Sequence, residues 1–216
     1  KKITYRPYFV KEEKILMQSY ESDDEGVAMR AMMDTVVACV YDTIVPTNLT
    51  TYDIEFLFTQ IRAKSVGEKS KIIASCIKED CEIKTNLTVN LMEVKVQSGA
   101  RDDVKDVIEL SDNILLELKY PSFESYVSIW NEEKTDAEFG MDMIPFCIKA
   151  IISGEDRITD WGEEEILEFI DSMTTEQFAK ITEFIENAPS LKHELEFDCE
   201  CGQKNKAILE GISDFF

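Results

Sequence analysis

Two close cysteine pairs stand out in the chain, Cys76-x4-Cys81 and Cys199-x-Cys201. Thiolates paired at turns are zinc ligands: zinc takes four soft donors at ~2.3 Å in a tetrahedron, and two hairpins can supply two each. The usual spacer in such a knuckle is two residues, and four is within the tolerated range. A one-residue spacer is not typical, and it requires a tight turn that Gly202 would help to form. In the alternative, Cys76 and Cys199 are buried strand residues behaving as small hydrophobes, with no metal. Cys39 and Cys147 lie in apolar helical stretches and read as core.

No other constellation points to catalysis. His193 is the single histidine, which excludes a multi-histidine metal site; beside Lys192 and Glu194 it reads as a solvated surface residue. Carboxylates are abundant, but no pair rises above the acidic background. Glu163-Glu164-Glu165 suits a helix N-terminus, where the dipole favours negative charge. Ser65–Ser70, "SVGEKS", lacks the Gly-Lys-Ser/Thr of a phosphate loop, and no dinucleotide or metalloprotease motif is present. The residues predict a protein that is not an enzyme.

Amphipathic helices and short hairpins must position the cysteines. The first half opens with extended Ile3-Thr4-Tyr5, stopped by Pro7, then a helix "FVKEEKILMQSYES" with Val10, Ile15, Leu16 and Met17 as a partial stripe. A second helix, "VAMRAMMDTVVACVYDTI", carries Met29, Met32, Met33, Val36, Val37 and Val40 on one face and ends before Pro46. Thr50 caps a third, "YDIEFLFTQIRAKS", ended by Gly67. Alternation at Ile72 and Ala74, then at Leu87, Val89 and Leu91, predicts a β-hairpin with Cys76 and Cys81 beside its turn.

The second half repeats this plan. Strand Ile114–Leu118 ends at Tyr120-Pro121, helical "FESYVSIWNEEK" and "MIPFCIKAII" follow, and "WGEEEILEFIDSM" is an additional helix. Thr174 opens "TTEQFAKITEFIENA" with Gln177 at the capping-box position, and strand "LEFDC" leads to Cys199. Matched caps, matched helices and matched cysteines predict an internally duplicated α+β fold, each copy ending in a zinc-ribbon-like hairpin. The expected organisation is a first repeat over 1–98, a connector with an edge strand over 99–113, and a second repeat over 114–216.

Net charge is −21, from 44 acidic against 23 basic residues. That field repels phosphate backbones and anionic lipid, so neither nucleic acid nor a membrane is an expected partner; protein surfaces and metal ions are. No apolar run reaches the length of a membrane span. Cysteines without a secretory leader read as reduced and cytosolic. The chain opens without Met, so further N-terminal residues are expected before Lys1. It closes on Phe215-Phe216, an apolar ending that either folds back to close the core or docks into a partner.

Several stretches together resemble a known family: "YRPYFVKEEKILM", "YDIEFLFTQIRAKSVGE", the first cysteine hairpin running into "VNLMEV", "LKYPS", and the ending "CECGQKNKAILEGISDFF". In combination they resemble baseplate proteins of T-even-type contractile-tail bacteriophages, specifically the small hub or hub-assembly subunit, over nearly the whole chain. Members of that family tend to pair cysteines on both hairpins, often two residues apart; Cys76, Cys81, Cys199 and Cys201 match the positions and depart in spacing. The resemblance implies a non-enzymatic protein that helps build the baseplate hub through contacts with other hub and tail proteins. Its expected place is the virion tail or an assembly intermediate in the host cytoplasm. An assembly chaperone not retained in the virion and a zinc-ribbon binding module are the alternatives.

Overall fold

The computed structural model describes residues 2–22, 24–99, 101 and 104–215, and divides into two compact units. One comprises the residues up to Val45, Tyr52–Gln97 and the chain from Pro189 onward; the other comprises Pro46–Thr51 and Ser98–Ala188. This division differs from the boundaries expected at 98 and 114: the C-terminal hairpin groups with the N-terminal residues. Phe216 lies outside the described residues.

The first unit begins with helices α1 (Val10–Tyr20), α2 (Glu25–Cys39) and α3 (Thr51–Ser65). Of the stripe expected on helix α1 only Leu16 is buried: Glu12 and Ser19 face inward with it, while Val10, Ile15 and Met17 are exposed. The reason is a buried ion pair. Arg6 Nη2 donates to Glu12 Oε1 at 2.9 Å and Phe9 N to Glu12 Oε2 at 2.8 Å, so the carboxylate enters the interior with its lone pairs satisfied. Burial raises the Glu12 carboxyl, but the bonds from Arg6 and from the N–H groups of Phe9 and Glu12 prevail and hold it down at about 2.

Helix α2 starts on Asp24, whose Oδ1 accepts the Val27 N–H at 3.1 Å. It stops at Cys39, short of the expected end at Ile44. β-branched Val40 turns extended and bridges Tyr5, with Arg6 N donating to Cys39 O and Tyr41 N to Thr4 O, both at 2.9 Å. The buried face of α2 is Ala31, Met32, Thr35, Val36 and Cys39, rotated from the expected one so that Val37 is exposed.

After Gly67, at φ +138° in a region closed to most side chains, strands β1 (Lys69–Ser75) and β2 (Lys84–Asn90) form an antiparallel hairpin, as predicted. A separate sheet holds β3 (Lys95–Gln97), β8 (Ser190–Asp198) and β9 (Lys204–Glu210), in the order β3-β8-β9. The core of these strands gathers Ala63, Val89, Leu91, Val94, Leu191, Leu209 and Phe215. Phe215 ends a 3-10 turn, Ile212–Phe215, and Ser70 Oγ donates to its carbonyl at 2.5 Å. Its ring therefore closes the core, the first of the two alternatives for the apolar ending.

The second unit is built on a four-stranded antiparallel sheet, β4-β5-β6-β7, from Val107–Ser111, Ile114–Leu118, Ile148–Ser153 and Asp156–Ile158. Strand β4 is an edge strand, as expected, yet it belongs to this sheet rather than to a connector. Helices α4 (Phe123–Ile129), α5 (Asp136–Cys147), α6 (Glu163–Asp171) and α7 (Thr175–Glu186) complete it. The expected helix over "MIPFCIKAII" is corrected here. α5 ends at Cys147, and Ile148–Ser153 is the strand β6, because Pro145 falls in the last helical turn and Ile148, Ile151 and Ile152 pair with β5, the last two with β7 as well. Leu116, Leu118, Ile144, Ile148, Ile166, Ile170, Ile181 and Phe184 form its core. The capping box of α7 is as read: Thr174 N donates to Gln177 Oε1 at 2.7 Å, and Gln177 N to Thr174 Oγ1 at 3.2 Å. Among the described residues no helix is long and apolar enough to cross a membrane.

Candidate metal centre

All four paired cysteines converge. Their sulfur atoms lie within 4.8 Å of one another, with Cys76 Sγ 3.7 Å from Cys201 Sγ and Cys81 Sγ 3.8 Å from Cys199 Sγ. A tetrahedral zinc with bonds of ~2.3 Å separates its sulfurs by about 3.8 Å. The two closest pairs are thus at the spacing a single four-coordinate soft cation demands, and the remaining separations stay within 4.8 Å. Cys39 and Cys147 take no part; both are buried in helices, as read.

The two hairpins deliver the ligands in the same way. The last pair of the first ladder is Ser75 with Lys84, and Cys76 and Cys81 lie in the turn beyond it. The last pair of the second is Asp198 with Lys204, beyond which sit Cys199 and Cys201. The one-residue spacer, the chief difficulty from sequence, is accommodated by the turn itself. Gly202 N donates to Cys199 O at 2.8 Å, Cys199 N donates to Gln203 O at 2.9 Å, and Gly202 has φ +85°. In the first hairpin Cys81 N donates to Lys78 O at 3.2 Å and Asp80 takes φ +63°, a conformation Asp tolerates better than most residues.

Backbone amides point at the sulfurs. The N–H groups of Ile83, Cys201 and Gln203 donate to the thiols of Cys81, Cys199 and Cys201 respectively, an interaction that favours thiolate over thiol. At Cys201 the Gln203 N–H, joined by bonds from the neighbouring thiols, brings the thiol down to about 7. At Cys199 the Cys201 N–H acts in the same sense, but burial and the crowding of the other three sulfurs push it up to about 12. At Cys81 the Ile83 N–H and the Cys199 thiol lower the value, but burial and the thiols of Cys201 and Cys76 raise it overall. Four sulfurs this close cannot all carry negative charge unaided, and a divalent cation among them removes that obstacle. The acidic residues in the turns, Glu79, Asp80, Glu82 and Glu200, raise the local concentration of cations further.

One residue that holds the centre together escaped the sequence reading. Asn205, buried on β9, accepts the Ile77 N–H through Oδ1 at 2.9 Å and donates through Nδ2 to Gln203 O at 2.8 Å. It links the tip of one hairpin to the turn of the other. The available signal was a polar residue at an inward position of an alternating strand, paired with Phe197. His193, by contrast, is half-buried opposite Leu209 and far along β8 from the thiols.

A family model described as T4 bacteriophage base plate protein matches the chain over residues 1–216. No curated protein and no solved structure matches it.

Proposed function

We propose, from the premise that the chain belongs to the T4 bacteriophage base plate protein family, that it is a structural or assembly component of the baseplate hub acting through contacts with other hub and tail proteins. The family match over the entire chain carries this reading. The cysteine geometry adds its chemical content: one zinc, bound by Cys76, Cys81, Cys199 and Cys201, with no step of turnover assigned to it. The metal is structural here because four protein thiols complete a tetrahedron and leave no open position for water or substrate. It holds the chain near Cys76 to the chain near Cys201 across a sequence separation of 125 residues, so the C-terminal hairpin is a fixed part of the first unit. The two zinc-ribbon-like hairpins, each preceded by a helix, are read as copies of one duplicated element.

Retention in the finished virion and a transient chaperone role are the two forms this reading can take. The test is co-expression with the other baseplate proteins of the same phage, followed by cross-linking and mass spectrometry of assembly intermediates and finished tails. Cross-links to hub proteins in both support the reading. Cross-links in intermediates alone establish the chaperone role, and a chain that joins neither particle contradicts the assignment.

A further inference from the structure

We propose that the four-thiol centre is also a site of oxidative cross-linking, at which a peroxide converts the metal clamp into two disulfides, Cys76–Cys201 and Cys81–Cys199. The inference rests on reading these thiols as the metal centre, and goes beyond it by assigning the pairing. The sulfurs in hydrogen-bond contact are the cross-hairpin pairs, at 3.7 and 3.8 Å, whose partners lie 125 and 118 residues apart in sequence. Within the second hairpin, by contrast, Cys199 and Cys201 flank a single residue in a turn closed by the Gly202 N–H on Cys199 O. A bridge between them would force a small ring and break that turn. Cys201 is exposed, so an oxidant reaches the cluster from that side.

The chemistry balances. A thiolate attacks one oxygen of hydrogen peroxide, the O–O bond breaks, and a sulfenic acid forms. The facing thiolate then attacks that sulfur, forming the S–S bond and expelling hydroxide. Each peroxide takes two electrons from one pair and, with two protons from solvent, leaves as two waters. Two peroxides discharge all four thiolates, and the divalent ion departs. The residues up to Gln97 and those from Pro189 onward, held together by the metal before oxidation, are joined covalently after it. A protein that passes from a reducing cytosol to an oxidising exterior meets the conditions for this exchange.

The experiment titrates the full-length, zinc-loaded chain with hydrogen peroxide, follows released zinc with a chelating dye, and maps disulfides in unreduced digests. The expected result is two peroxides consumed per zinc released, with peptides joined as Cys76–Cys201 and Cys81–Cys199. Cleavage within residues 98–188 then leaves two fragments that migrate together until a reductant is added. Bridges within a hairpin, bridges between chains, or sulfinic acids in place of disulfides overturn the pairing. Metal content before oxidation separates the two readings. A zinc-free preparation that still gives the two cross-hairpin bridges removes the metal and keeps the pairing, and a zinc-loaded one that gives intra-hairpin bridges does the reverse.

Discussion

Asn205 Oδ1 accepts the backbone N–H of Ile77 at 2.9 Å, and this bond joins one cysteine turn to the other without involving sulfur. For the proposed metal centre it is a supporting contact: it ties the first turn to the second independently of any cation. Asn205→Leu preserves bulk, removes the acceptor, and leaves the Ile77 and Gln203 backbone groups without this partner. Chemical denaturation of the loaded protein should show a loss of about 1–3 kcal/mol. Competition with a chromophoric chelator should show zinc affinity lower by roughly 10-fold or more. An unchanged affinity would make the contact merely local.

The six cysteines separate into two kinds under substitution. Cys201→Ser should abolish stoichiometric zinc and remove the dependence of thermal stability on added chelator. Cys147→Ser, in the packed end of α5 with its thiol donating to Met143 O at 3.5 Å, should cost about 1–2 kcal/mol and leave zinc content unchanged. Metal analysis and melting with and without chelator check both variants. Equal chelator sensitivity in the two would place the metal elsewhere.

Glu12 sets a term in the acid limb of stability. Its carboxyl falls from 4.5 to about 2 in the folded chain despite burial, through its bonds from Arg6 and from backbone N–H groups. The folded value is depressed, so this stabilisation is fully present above about pH 4.5 and is lost as pH falls toward 2. In urea titrations from pH 7 to pH 2.5, Glu12→Gln should lower stability at pH 7 by on the order of 1–2 kcal/mol and flatten the acid slope. A slope identical to the parent's would show that the pair contributes nothing.

Glu55 acts in the opposite sense. Burial raises it from 4.5 to about 7, against a hydrogen bond from the Ile212 N–H. A carboxyl with a raised folded value favours the native state below its unfolded value, and that advantage disappears as pH rises through about 7. Glu55→Gln should therefore stabilise the protein at pH 8 by on the order of 1–2 kcal/mol and make little difference at pH 4. Denaturant midpoints at the two pH values decide it; destabilisation at pH 8 would mean that the charged form is the one the fold requires.

Phe215 is a core residue at the end of the chain, seated with Val89, Leu91 and Leu209. Phe215→Ala should cost about 3–5 kcal/mol, in the range of large-to-small changes in packed interiors. A loss below 1 kcal/mol, read from equilibrium unfolding, would return this ring to the docking alternative.

Much of this was legible before the fold, and the failures have physical causes. Both hairpins and the capping box at Thr174 followed from period-two alternation and from Thr-x-x-Gln spacing, which are local signals. The helical reading of Ile148–Ser153 fails because six residues following an apolar helix end are too few to set a period of their own, and the place of this stretch between β5 and β7 is a tertiary fact. The face of α1 was misassigned because Arg6 lies outside the helix, and only its approach makes Glu12 an interior residue. The four cysteines were identifiable by type and position, whereas the working of a one-residue spacer depended on the φ of Gly202 and the turn bonds around it.

Elemental analysis of the purified full-length chain, prepared without added metal or chelator, tests the central claim most directly. The account predicts about one zinc per chain, lost together with the protection of the C-terminal hairpin when the cysteines are alkylated under denaturing conditions and the chain is refolded. Less than about a tenth of an equivalent of any soft divalent metal would contradict it, because structural tetrathiolate sites hold their ion tightly.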